Sequence, residues 1–352
     1  MTLYHGHCLD ILRGLPSNSV DSVVTDPPYD LPTSGRKGTG HLGKEWDGTG
    51  IAFDPTLWAQ VLRVLKPGGH LLACGGTRTW HRMATAVEDA GFEIRESLAW
   101  VHRQGFPKGS NASLAIDTAL GVTRPRLPGK KSGGMASLNA GNHRHGYRPD
   151  GYYQDGNAPV SQEPISPEAS LWQGWGTGLK PAFEPVVVAR RPLDGTLASN
   201  LLRWGVGAIN IDANRVPGPG GRWPSNLLAD DDQAAELDRQ SGDPTGASRF
   251  FFCAKASPTE RPEACGVRHP TPKPLALARW MVRLVTPHGG LVLDPFAGSG
   301  TTAEACLLEG VRCVAVEREA DYLPLIGQRL ARHSTPLTPE RAHPTTDGLG
   351  DR

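Results

Sequence analysis

The sequence predicts an α/β fold built around a mixed, mostly parallel β-sheet. Short apolar segments alternate with segments whose apolar residues recur at helical spacing, and Gly- or Pro-rich turns separate them. This alternation is regular only near the two ends of the 352-residue chain. Because crossover helices return the chain to the same edge of a sheet, strands that alternate with helices pair in parallel. Residues 1–104 and 268–333 are therefore expected to form one core, with 105–267 inserted between them.

The first part of the core is predicted from its apolar pattern and its prolines. Residues 22–25 (SVVT) form an apolar strand that must end at Pro27 and Pro28, because consecutive prolines interrupt both strands and helices. The elements that follow are a helix at 55–65, a strand at 70–74, a helix at 79–90 and a strand at 92–101.

The inserted region at 105–267 has a different composition. Gly and Pro, of which the whole chain has 43 and 31, are frequent in this region. Long stretches of it show no periodic pattern of apolar residues, apart from a short apolar strand at 185–189. The whole chain has a net charge of +1, yet Val101 to Pro224 contains 14 Lys and Arg against 8 Asp and Glu. A local basic patch can hold a nucleic acid, although a solvated, mildly basic loop has the same composition.

Regular alternation resumes after residue 268. The pattern predicts a helix at 274–285, a strand at 291–293, a helix at 301–309, a strand at 313–316 and a last helix at 319–332. The polar, Pro-rich tail at 334–352 is expected to be disordered.

Cysteine usage and hydropathy favour a cytoplasmic protein without a membrane segment. The six cysteines form no CxxC pair, the first residues lack the features of a signal peptide, and no apolar run is long enough to span a bilayer. The pair His143 and His145 has no third ligand nearby, so no metal site is predicted.

A glycine-rich turn follows the strand at 291–293. Residues 294–302 read DPFAGSGTT, and Glu317 ends the next predicted strand. Gly298 and Gly300 allow close approach of backbone to a ligand, and a carboxylate at Glu317 can accept hydrogen bonds from ribose hydroxyls. A tight strand-to-helix turn has the same letters, but the distal acid favours a nucleoside site. Asp294 would repel a pyrophosphate and suits a cationic ligand.

A second motif, Asp26-Pro27-Pro28-Tyr29, ends the first apolar strand. An amine conjugated to a ring is a poor nucleophile, so it needs acceptors that stabilise the positive charge it gains. The Asp26 carboxylate and the rigidly held Pro27 carbonyl are such acceptors, and Tyr29 offers a face on which an extruded base can stack. The plain structural alternative is a Pro-Pro stop with an Asp turn and a core tyrosine.

Together these motifs resemble the DNA amino-methyltransferases, which methylate N6 of adenine or N4 of cytosine. The catalytic motif precedes the cofactor motif, as in the β-class of that family, and 269–274 (HPTPKP) resembles its HPTxKP segment. The resemblance implies a Rossmann-like methyltransferase core, S-adenosylmethionine as cofactor, and 105–267 as target-recognition region. It implies these cofactor-binding residues: Asp294, Phe296, Gly298, Ser299, Gly300, Thr301, Thr302, Glu317, His269, Thr271 and Lys273.

Several readings of this resemblance remain open. The DPPY form goes mostly with adenine N6 in double-stranded DNA, with cytosine N4 as the alternative. Methylation of RNA or of a protein amide, a silent DNA-binding protein and an unrelated nucleotide-binding regulator are the other candidates. Two details are specific to this chain: Gly6 is followed by His7, where the family usually has an acid, and Thr271 is placed to cap the helix at 274–285. A homodimer and a cognate restriction enzyme are both compatible with the sequence.

Overall fold

The computed structural model describes residues 1–31, 44–102, 109–125, 160–215, 221–229, 231–242, 252–253, 262–264 and 266–333. The strands are β1 (Thr2–His5), β2 (Val20–Thr25), β3 (Leu65–Cys74), β4 (Glu93–Val101), β5 (Phe183–Arg190), β6 (Leu227–Ala229), β7 (Phe252–Cys253), β8 (Glu263–Ala264), β9 (Val267–Arg268), β10 (Leu291–Asp294) and β11 (Arg312–Glu317). The helices are α1 (Cys8–Gly14), α2 (Pro55–Val64), α3 (Trp80–Asp89), α4 (Ala112–Ala119), α5 (Pro167–Ser170), α6 (Leu197–Trp204), α7 (Asp231–Ser241), α8 (Leu275–Val285), α9 (Thr301–Leu308) and α10 (Leu323–Ala331).

One nine-stranded sheet organises the molecule, in the order β1-β11-β10-β2-β3-β5-β4-β6-β7. The first five strands in this order (β1, β11, β10, β2 and β3) run parallel to one another. Strand β5 runs antiparallel to both β3 and β4. Strands β6 and β7 continue the sheet in parallel beyond β4. The predicted mixed, mostly parallel sheet is therefore confirmed, and β5 is the strand that makes it mixed.

Helices cover both faces of this sheet. Successive strand residues point to opposite faces, and Leu71 and Leu72 of β3 accordingly enter different apolar clusters. The cluster of Leu72 contains Trp280 of α8, and the cluster of Leu71 contains Trp58 of α2. Burial on both faces explains why the central strands are near-continuous apolar runs in the sequence.

The inserted range contributes to the sheet itself. The predicted strand at 185–189 is β5, which pairs between β3 and β4, and β6 and β7 also come from 105–267. The expectation that only the two chain ends build the core is therefore wrong at these strands. The role of 105–267 in target recognition stays a prediction, and the tail at 334–352 lies outside the described residues.

The starts of α10 and α8 differ from what the sequence predicts. The last helix is preceded by a 3₁₀ turn at Ala320–Tyr322, and α10 begins at Leu323, because Pro324 suits only the first turn of a helix. Thr271 is not the N-cap of α8: the N-cap position is Pro274, whose own side chain makes no capping hydrogen bond. Of the helices in the described ranges, none is both long and apolar enough to cross a membrane.

Candidate active site

A cavity of about 1330 Å³ opens at the carboxyl ends of the parallel strands. Ligands bind at this edge of open α/β sheets, because the loops that follow the strands converge there. Both predicted motifs contribute to its wall, one from the loop after β2 and the other from the loop after β10. The predicted residues that line it are Asp26, Pro27, Pro28, Tyr29, His269, Thr271, Lys273, Phe296, Gly298 and Glu317.

The other predicted cofactor residues lie behind this wall. They are Asp294, Ser299, Gly300, Thr301 and Thr302, and all are buried. Asp294 accepts hydrogen bonds from the Thr25 hydroxyl at 2.7 Å and from the Phe296 amide at 3.1 Å. Burial raises the pKa of Asp294 to about 6. Its carboxylate therefore joins the ends of β2 and β10, and its expected contact with a cationic ligand stays a prediction.

Glu317 ends β11 beside the glycine turn. Its carboxylate accepts the backbone N–H of Gly298 at 2.6 Å and that of Glu319 at 2.7 Å. Burial raises the pKa of Glu317 to about 7 in spite of these two bonds. Since each carboxylate oxygen has two lone pairs, the side chain can still accept hydrogen bonds from a ribose at the cavity wall.

The backbone at Gly298 leaves room for a close neighbour. Its φ is +52°, and a Cβ there would lie 3.1 Å from Nε2 of His269. The His269 ring stacks with Trp46 at a centroid distance of 6.0 Å and meets Tyr322 edge-on at 4.8 Å. Burial lowers the pKa of His269 to about 3, so the ring is neutral at ordinary pH. Flat rings next to a ribose acceptor form a surface that fits an adenosine group.

The loop after β2 is fixed from both sides. The Thr79 hydroxyl donates to the Tyr29 carbonyl at 2.7 Å, and Asp30 accepts the amide of Gly50 at 2.8 Å. Asp26 Oδ2 lies 2.8 Å from the Lys273 ammonium. Its other oxygen, Oδ1, is buried and has no hydrogen-bond partner among the described residues. Burial raises the pKa of Asp26, and Lys273 opposes that shift.

Lys273 connects Asp26 to a second carboxylate. Its ammonium lies 3.2 Å from Glu184 Oε2 and 4.9 Å from the centroid of the Tyr29 ring. The Tyr29 hydroxyl donates to the same Glu184 oxygen at 2.7 Å, and His102 lies 3.4 Å from Oε1. Lys273, expected among the cofactor residues, therefore contacts the catalytic motif.

Sequence reasoning missed Glu184 and His102. Glu184 is in β5, at the start of the predicted strand, and its antiparallel direction carries this end to the cavity. In the sequence, Glu184 is a lone carboxylate directly before an apolar strand, and nothing there indicates the direction of that strand in the sheet. Gly6 and His7 also line the cavity, and the Gly6 amide donates to the Glu317 carbonyl at 2.9 Å.

Other candidate residues lie elsewhere. Trp172 and Trp175 are exposed and meet edge-on at a ring-centroid distance of 5.3 Å. His143 and His145 fall outside the described residues. Within the described ranges, no group of three or more His, Cys, Asp or Glu could hold a metal ion.

Comparison with known proteins finds methyltransferases that are similar to this chain. The type II methyltransferase M.HindIII of Haemophilus influenzae is 23% identical over 334 residues, covering 85% of each chain. M.ScaI of Streptomyces caespitosus is 22% identical, over 95% of this chain and 83% of that protein. The crystal structure of the M1.HpyAVI–SAM complex aligns with a TM-score of 0.47 and 15% identity, over 94% of this chain and 98% of that one.

A family model described as DNA methylase, N6_N4_Mtase, matches residues 20–328. This range contains the Asp26 motif, the HPTPKP segment and the glycine-rich turn. Methylases of this family transfer a methyl group from S-adenosylmethionine to DNA. The chain therefore belongs to the N6_N4_Mtase family of DNA methylases, with S-adenosylmethionine as its cofactor and DNA as its substrate.

Proposed function

We propose that the chain methylates N6 of adenine in double-stranded DNA, on a base rotated out of the duplex into the cavity. The observation that carries this proposal is Asp26: one carboxylate oxygen is held by Lys273, and the other is buried at the cavity without a partner among the described residues. An unpaired buried acceptor costs free energy unless a ligand donates to it. The exocyclic amine of a base is a donor of the required kind.

The reaction needs the amine nitrogen to become a nucleophile. Asp26 accepts one amine N–H, and the Pro27 carbonyl is placed by its rigid loop to accept the other. As the nitrogen becomes tetrahedral it gains positive charge, which the carboxylate stabilises most strongly in the transition state. S-adenosylmethionine supplies the methyl carbon, whose bond to sulfur breaks as the bond to nitrogen forms. The nitrogen then loses one proton to water.

The cofactor side of the cavity fits the same reaction. In this proposal Glu317 accepts the ribose hydroxyls, and the rings of His269, Trp46 and Tyr322 contact the adenine. Phe296 and Gly298 line the same cavity. Tyr29 supports the target base. Its hydroxyl proton is donated to Glu184, so the ring is held in one orientation.

Adenine is favoured over cytosine by the carboxylate at position 26. By the family resemblance, DPPY goes mostly with N6 of adenine and SPPY with N4 of cytosine. Expression in a host without DNA methylases, followed by single-molecule sequencing, reports the modified base and its context together. N6-methyladenine at one recurring sequence is the expected result. N4-methylcytosine would overturn the choice of base.

The role of Asp26 is tested with purified protein. Asp26→Ala and Asp26→Asn should bind S-adenosylmethionine in calorimetry and lose methyl transfer by about 10²- to 10³-fold, the usual effect of removing one transition-state contact. Full activity in either variant would remove Asp26 from the mechanism. Since the curated relatives are named type II methyltransferases, we also propose a cognate restriction enzyme whose cleavage this methylation blocks.

A further inference from the structure

A compact charge cluster lies between the Asp26 loop and β5. The Lys273 ammonium bridges Asp26 Oδ2 at 2.8 Å and Glu184 Oε2 at 3.2 Å. The Tyr29 hydroxyl and the His102 ring contact Glu184 as well. The side chain of Lys273 is only 11% exposed, so it is screened little by solvent.

We propose that Lys273 and Glu184 form a charge clamp that positions Asp26: Lys273 keeps its carboxylate ionised, and Glu184 holds the ammonium so that Oδ1 stays turned toward the target amine. This inference rests on the proposed amine methylation. It assigns Lys273 to the catalytic side of the cavity, and it gives Glu184 a function that the motifs do not indicate. Both are positioning residues, because they act on the reaction through Asp26.

Charge balance explains why Asp26 needs Lys273. Two carboxylates in one poorly hydrated site compete for a proton, and a single ammonium between them relieves the repulsion. A protonated Asp26 would present an O–H donor to the amine and would no longer accept from it. Burial favours that neutral form, and Lys273 opposes it. The lysine therefore keeps the catalytic group in the form that the reaction requires.

Geometry explains why Lys273 needs Glu184. An ammonium paired with Asp26 alone can move to a position between the two carboxylate oxygens, where it would occupy Oδ1. Glu184 pulls the ammonium from the other side. Glu184 is itself fixed, since Tyr29 and His102 contact its two different oxygens. Glu184 on β5 thus holds the Lys273 ammonium away from Oδ1 of Asp26, which stays free to accept from the target amine.

Removal of Lys273 and removal of Glu184 should change the pKa of Asp26 in opposite directions. Glu184 raises the pKa of Asp26 and Lys273 lowers it. Loss of Asp26 ionisation sets the acid limb of the pH profile of kcat, so Glu184→Gln should move this limb to lower pH and Lys273→Met to higher pH. Charges at this range shift a pKa by about one to three units. The titratable and charged groups that face Asp26 are Lys273, Glu184, Tyr29, Cys74 and Asp294.

The experiment measures kcat and KM against pH for purified wild-type protein and these two variants. We expect kcat at neutral pH to fall by about 10- to 100-fold, as for small misplacements of a catalytic group. The affinity for S-adenosylmethionine should change little. Lys273→Arg keeps the charge and should return the acid limb toward that of the wild type. Shifts in the same direction, or none, would overturn the clamp.

A matched control comes from the other end of β5. Arg190 pairs with Glu93 of β4 at 2.6 Å, away from the cavity lining. Glu93→Gln removes a carboxylate from the same pair of strands, and its acid limb should stay where it is in the wild type. If Glu184→Gln does not fold, the pair Lys273→Met and Lys273→Arg still decides the point. A wild-type protein that transfers no methyl group to DNA would refute the proposed function, whereas unchanged profiles in an active enzyme refute only the clamp.

Discussion

Replacing Gly300 by alanine tests the packing of the glycine turn behind the cofactor side of the cavity. Gly300 has φ +83° and is the N-cap of α9. An added Cβ would lie 3.1 Å from two side-chain carbons of Ile326 and 3.2 Å from its Cα. The left-handed conformation costs alanine about 1 kcal/mol, and forcing a methyl group into packed surroundings costs about 1–3 kcal/mol more. Gly300→Ala should therefore lower the free energy of unfolding by about 2–4 kcal/mol.

Gly310 separates the two contributions. Its φ is +67°, nearly the same conformation, yet a Cβ there has no atom within 4 Å. Gly310→Ala carries only the conformational cost of about 1 kcal/mol. Urea unfolding of both variants, followed by circular dichroism, measures the difference directly. If Gly310→Ala destabilises the protein as much as Gly300→Ala does, the contact with α10 is not what requires glycine at 300.

Two further predictions concern buried carboxyl groups. Burial raises the pKa of Glu317 from 4.5 to about 7, so the stability it contributes is present below pH 4.5 and is lost as the pH rises through 7. The free energy of unfolding of the wild-type protein, measured in urea without cofactor, should fall by about 3 kcal/mol between pH 5 and 8. Glu317→Gln should remove this fall, and the same dependence on pH in the variant would contradict the prediction. Thr25→Val removes a hydrogen-bond donor to Asp294 and should lower the free energy of unfolding by about 1–3 kcal/mol. Thermal unfolding measures this change, and a variant as stable as the wild type would contradict it.

The sequence predicts those parts of the site that depend on local order along the chain. The apolar strand pattern before the DPPY segment has to end at Pro27 and Pro28, so this segment stands at a strand end. The turn that contains Gly298 joins an apolar strand pattern to a helix pattern, so it stands at a strand end as well. Each motif is therefore assigned to a strand end before any pairing is known. Parallel strands share that edge, so the meeting of the two motifs at one cavity follows from the α/β pattern.

Strand direction is what the sequence does not reveal. The pattern at 185–189 predicts a strand, but an apolar strand has the same letters whether it runs parallel or antiparallel to its neighbours. Only its pairing with β3 and β4 shows that Glu184 comes to the cavity, and that His102 at the end of β4 comes with it. The structural role of Asp294 was also missed, because its partner Thr25 is 269 residues away in the chain.

The adjacency of β2 and β10 explains how a chain with the catalytic motif first can still build this cavity. These strands pair directly, at Ser22 with Val292 and Val23 with Leu293, and Thr25 then bonds to Asp294 at their ends. The sheet fixes the distance between the motifs, so the length of chain between them adds only a slowly growing loop-closure entropy. That chain can hold a large inserted range at little cost, provided that it returns β5 to the sheet and so delivers Glu184. An insertion that displaced β5 would keep both motifs in contact and would lose the carboxylate on the far side of Lys273.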